Sequence, residues 1–172
     1  MKTLLTIILI LFTISCVETV QPLEITDWGI KIVPRLTETV DGYYVLPIDT
    51  TRLQTLHRLS GELRQDGGIP THREKIGWES SHMWVVGDTL GFIVRRTIDA
   101  FGNWSVLDTS YVDWFEGYEV PTINSTSITK DSGEFNVMMA PIHPMRGDTM
   151  TIRTYIYKNN EEIDDIIQII LQ

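Results

Sequence analysis

From position 28 onward, apolar and polar residues alternate at a spacing of two, in short runs broken by Gly, Asp, Asn and Pro. That pattern predicts half-buried β-strands. Two runs rich in β-branched and aromatic residues fall at 28–40 and 43–49. The Asp41-Gly42 dipeptide between them predicts a two-residue hairpin turn with both positions at positive φ. The next stretch is ambiguous. Leu53, Leu56, Leu59 and Leu63 fit a helical stripe, but Gly61 and the flanking threonines favour a strand over 54–64. Asp66-Gly67-Gly68 and Pro70 then predict a hairpin back through a strand at 74–80. Further strands are expected at 83–86, 90–98, 104–112, 119–128, 134–142 and 149–158. In 90–98, Phe92, Val94 and Ile98 share the apolar face. At 161–172, Ile163, Ile166, Ile167, Ile170 and Leu171 make a helical stripe. The five isoleucines and the preceding Asn159-Asn160 turn favour a strand instead, with Ile167, Ile169 and Leu171 on one face.

About ten strands at this spacing give an all-β fold, an antiparallel β-sandwich. Gly87-Asp88-Thr89-Leu90 and Gly147-Asp148-Thr149-Met150 open two strands alike, each Asp being expected to cap its turn. The strand–turn–strand around Asp99-Ala100-Phe101-Gly102-Asn103 resembles the last hairpin of immunoglobulin-like domains in bacterial surface proteins. The resemblance implies an immunoglobulin-like sandwich over 25–172. A break into two subdomains would fall at 115–121.

The N-terminus follows another rule. Lys2 precedes an unbroken apolar run, Leu4 to Phe12, and Ser15 precedes Cys16. The run is shorter than the roughly 20 residues of a membrane span and fits a signal-peptide core. This arrangement resembles a bacterial lipoprotein precursor, although Thr13 stands where such signals usually have Leu. The resemblance implies a signal peptide at 1–15, lipidation of Cys16 as the new N-terminus and a tether at 16–24. Val17 rather than Asp follows the cysteine, which points to the outer membrane.

Charge narrows the partners. Lys and Arg total 14 against 23 Asp and Glu, a net charge of −9. Nucleic acid is excluded on that balance, and membrane attachment falls to the acyl chains. Cys16 is the only cysteine, so no disulfide can form within the chain.

Catalytic signatures are scarce. No Gly-rich phosphate loop, His-Glu-x-x-His or Gly-x-Ser-x-Gly occurs. Asp131-Ser132-Gly133 and Arg146-Gly147-Asp148 read as turns. Neither the cluster His72, Glu74, Glu79 and His82 nor the acidic patch Asp108, Asp113, Glu116 and Glu119 has metal-ligand spacing, so no metal or cofactor is expected. Trp28, Trp78, Trp84, Trp104 and Trp114 can serve as core or as stacking platforms. Trp104, Trp114, Glu116 and Tyr118 form the candidate ligand site, since sugars stack on aromatic faces beside carboxylates. The expected function is a lipid-anchored, non-catalytic binding or assembly module for an envelope protein or a glycan. The alternatives are a small glycan hydrolase, which needs two carboxylates about 5–10 Å apart, and a structural subunit of an outer-membrane complex.

Overall fold

A computed structural model describes residues 27–70, 72–86, 91–112 and 122–172. Among these, twelve strands and a 3₁₀ turn at His143–Met145 make an antiparallel-dominated β-sandwich. One sheet contains β1 (Trp28–Val33), β4 (His57–Gln65) and β10 (Glu134–Met139), in the order β1-β4-β10. The larger sheet contains β2 (Thr37–Glu38), β3 (Tyr44–Leu46), β5 (Lys75–Ser80), β9 (Thr126–Ile128), β11 (Thr149–Lys158) and β12 (Glu161–Leu171). Its order is β2-β3-β12-β11-β5-β9, with β3 and β12 parallel. A third, small sheet holds β6 (His82–Val86), β7 (Gly91–Ile98) and β8 (Trp104–Val112).

Alternation puts the core between the first two sheets. Ile30, Ile32, Leu59, Leu63, Phe135, Val137 and Met139 face Ile76, Trp78, Met150, Ile152, Ile156, Ile169 and Leu171, all buried. Trp78 and Phe135 meet edge to face with centroids 5.5 Å apart, joining the sheets at their middle. Phe135 fits because its cross-strand neighbour is Gly61. The C-terminal stripe resolves as a strand, with Ile169 and Leu171 fully buried.

Several predicted boundaries are corrected. The run 28–40 is two strands, because Pro34 has no N–H to give a ladder. Asp41-Gly42 does not form a two-residue turn. Thr39 and Tyr43 close a loop of Val40, Asp41 and Gly42, and only Gly42 has positive φ, +81°. The two-residue geometry occurs instead at Asn159-Asn160, with φ of +52° and +64° between β11 and β12. The strand expected at 43–49 is confined to Tyr44–Leu46, just before Pro47. The strand expected at 134–142 stops at Met139, before Ala140 and Pro141. β4 and β5 are not a hairpin: after Asp66-Gly67-Gly68 the chain crosses to the other sheet, where β5 pairs with β11 and β9. Of the strand expected at 119–128, only Thr126–Ile128 forms; 119–121, like the 115–121 break, lies outside the described residues.

β5 and β6 are nearly one strand, bent at Ser81. The Ser81 N–H donates to Thr151 O, and its carbonyl accepts from Arg96 N–H. The chain thus leaves the large sheet and starts the small one in a single residue. The bend also breaks the extended register that would set Glu74 and His82 on one face.

The close packing at Gly61 makes a direct test. A Cβ there would lie 2.4 Å from the Phe135 ring and 2.8 Å from Lys31 O. Gly61→Ala should lower stability by about 1–3 kcal/mol in urea unfolding. Gly29→Ala, with nothing within 4 Å of its Cβ, should be close to neutral. Equal midpoints for the two variants would refute this account of the inter-sheet contact.

Candidate functional site

The β7–β8 hairpin folds over the outer face of the large sheet, where Gly102 at its tip packs on Arg153 of β11 and Trp104 bonds to Glu79 of β5. Arg153 lies opposite Glu79 on β5 and beside Asp164 on β12. Its Nε donates to Asp164 Oδ2 at 2.8 Å, Nη1 to Glu79 Oε2 at 3.3 Å and Nη2 to Glu162 Oε1. The guanidinium lies 5.3 Å from the Tyr155 ring centroid, and Tyr155 lies over Gly77. Gly102, at the hairpin tip, closes against Arg153 with φ +82°, leaving the arginine side chain only 8% exposed. Burial works against the Arg153 charge, but the Asp164 and Glu79 carboxylates outweigh it and hold the pKa above its ordinary value.

Trp104 starts β8 and is tied into the same cluster. Its Nε1 donates to Glu79 Oε2 at 2.7 Å, and the Arg96 guanidinium stacks 4.7 Å from its ring centroid. Arg96 donates from Nη2 to Ser80 O. Burial depresses its pKa, opposed by the charge of Glu79. Arg96 is also a dividing wall. On one side is a hollow of about 450 Å³ lined by Trp78, Trp84, Met83, Ile123 and Thr122. On the other is a groove of about 510 Å³ between the hairpin and the large sheet, lined by Tyr43, Ile98, Leu107, Ile166 and Ile170.

Trp104 is therefore half-buried and engaged on its edge and on a face, not an open platform. Trp114, Glu116 and Tyr118 lie outside the described residues. Trp78 and Trp84 are buried, and Trp28 is half-buried with Lys158 Nζ 4.6 Å from its ring centroid. Sequence reasoning singled out Trp104 but missed Arg96 and Arg153, which come from strands far apart in sequence and meet only through register. Among its exposed polar residues the hairpin also leaves apolar side chains open: Leu107 is 71% and Tyr111 76% exposed, with Val106 and Phe101 also exposed, and Ile166 of β12 is exposed too. β8 pairs only with β7 among the described residues. The pairing passes directly from Arg95↔Asp108 to Arg96↔Val106, so Leu107 is the extra residue of a bulge.

The other candidate groups are dispersed. Glu74 pairs with Lys158, and Glu79 serves Trp104 and Arg153. His82 is buried, its Nδ1 2.8 Å from Ser81 Oγ and its Nε2 3.3 Å from Asp148 Oδ2. A serine, a histidine and an aspartate in a row suggest a nucleophilic triad. Here Ser81 is buried and its Oγ accepts the Thr151 N–H at 2.9 Å, so no substrate carbonyl can reach it. Asp148 was expected to cap its own turn. Its carboxylate instead takes Arg95 Nε at 2.8 Å and faces His82, so it ties the small sheet to the start of β11. Two carboxylates do oppose each other across strands, Glu62 and Glu134. Each is part-exposed and ion-paired, Glu62 to Arg64 and Glu134 to Lys130. They lack the apolar enclosure that acid–base hydrolysis needs.

Burial lowers the His82 pKa, and the Arg95 charge adds to this against the Asp148 carboxylate. His57 is lowered by burial as well. As pH falls through about 6.5, the unfolded chain gains protons before the folded one does, so stability declines there and is complete above that pH. Urea midpoints should fall between pH 7.5 and pH 5.5, and His82→Gln should flatten that dependence. A slope unaltered by the substitution would show that His82 is not the group involved.

No family of known proteins matches the chain, and no curated protein is significantly similar to it.

Proposed function

We propose that the protein is a lipid-anchored component of a bacterial envelope, held through Cys16, whose β-sandwich is a non-catalytic module for binding a protein partner. The observation that carries this reading is the open apolar surface of the β7–β8 hairpin and the groove beneath it, with Leu107 and Tyr111 mostly exposed. Contiguous apolar surface of this kind marks interaction sites. The bulge at Leu107 argues for recognition through side chains rather than plain strand addition, since bulges twist an edge away from indiscriminate pairing. A partner presenting apolar side chains fits such a surface. A glycan platform is less well supported, because the described tryptophans are buried or already engaged.

Photo-crosslinking residues placed at 107 and 111 should capture an envelope protein, while the same probe at position 62 on the opposite face should not. Leu107→Glu should abolish the adduct formed from position 111 without changing the melting temperature, since the side chain is largely solvated. An adduct that survives Leu107→Glu would refute the assignment. Separately, Cys16→Ser should release the protein from membranes, and mass spectrometry of the wild-type N-terminus should find acylated Cys16. A mature chain beginning at Val17 or Glu18 would refute the anchor.

A further inference from the structure

The sheet β1-β4-β10 carries Lys31, Arg58 and Arg64 on its strands against Glu62 and Glu134, one positive charge in excess within a chain of net charge −9. A hollow of about 240 Å³ on this sheet is lined by Arg35, Arg58 and Lys130 and also by Glu62 and Glu134, with Ser60, Asn136 and Val33 beside them.

β1 and β4 pair as far as Val33↔Ser60 and Pro34 ends the ladder there, so Arg35 beyond it and Arg58 on β4 line the hollow from different segments. Acidic residues are plentiful in this chain, yet neither arginine has an ion pair among the described residues. Arg64 and Lys130, by contrast, are matched to Glu62 and Glu134 at 2.8 and 3.4 Å. The two carboxylates of the hollow are each taken up by their own cation, so the unpaired guanidinium groups of Arg35 and Arg58, with a hydroxyl and an amide in the same lining, are suited to a phosphate oxyanion, which accepts several charge-assisted hydrogen bonds at once.

We infer that this hollow is a phosphate-binding site, with Arg35 and Arg58 as its principal ligands and Lys130, Ser60 and Asn136 as supporting donors. The phosphate can belong to a soluble compound or to a lipid headgroup, and the chemistry is the same. The site lies on a different sheet from the β7–β8 hairpin and does not depend on the partner reading.

The test uses the full chain carrying Cys16→Ser, so that an acyl group contributes nothing. Isothermal titration with inorganic phosphate should give saturable binding if the source is soluble. Sedimentation with phosphatidylglycerol vesicles, and not with phosphatidylcholine vesicles, should carry the protein down if the source is a headgroup. Whichever binding is seen should weaken by about tenfold or more in the Arg35→Gln/Arg58→Gln double variant. It should persist in Arg73→Gln, which removes an exposed arginine already paired with Asp131. Both substituted arginines of the double variant are exposed, so its unfolding midpoint should match that of the parent. Failure of both probes to bind the parent, or equal binding by parent and double variant, would overturn the site.

Discussion

The hairpin that carries the exposed surface packs on a guanidinium that the large sheet surrounds with carboxylates. Arg153 is shared among Glu79, Asp164 and Glu162, and Glu79 in turn holds the indole N–H of Trp104. Taking such charges out of water is costly, and a buried ion pair often contributes little net stability beside well-packed apolar groups. What the cluster supplies is position. A hydrophobic contact would let the β7–β8 hairpin slide over the large sheet. The planar fork orders Glu79, Asp164 and Glu162 on the large sheet, and Glu79 in turn gives the Trp104 indole N–H of the hairpin a fixed acceptor. Arg96 of the same hairpin lines both hollows beside it.

Charge also acts over a longer range. In a chain this acidic, the sheet β1-β4-β10 carries three cations against two carboxylates on its strands, so the charge is not uniform. An uneven distribution makes approach to any charged surface dependent on ionic strength. Net charge averages over positions that only folding brings together, so it does not describe any one face.

Much of the strand content was legible because it is local. β7 and β8 follow from alternation around a turn in which Asp99 accepts the Phe101 and Asn103 N–H groups. β11 and β12 follow from Asn159-Asn160 between isoleucine-rich runs. How the strands divide into sheets was not legible. β4 leaves its turn in one sheet and β5 begins in another, and nothing in the intervening loop encodes that crossing. Pro34 was readable as a break in the first strand, but the density of β-branched residues around it outweighed the signal. At the candidate site the sequence offered Trp104 for its place after a turn. It did not offer Arg153, which resembles any other arginine in an alternating strand until Glu79 is set opposite. The Arg35–Arg58 pair was hidden for the same reason, since the two residues are separated by the whole of β2 and β3.

The position of β12 bears on how the fold is reached. The last strand in chain order lies inside the six-stranded sheet, with β11 on one side and β3 on the other. Gln172 N–H donates to Leu46 O, and its own carbonyl accepts from Ile48 N–H. Until β12 is in place, β3 has only the two residues of β2 to pair with, and Leu46 and Ile48 have nothing to pack beneath. The N-terminal part of the large sheet therefore cannot form as its sequence emerges from the ribosome. It must wait as unpaired chain through more than a hundred residues, and closing so distant a contact is slow. Until that distant pairing forms, the apolar segments of β3 are open to capture by chaperones or by other chains.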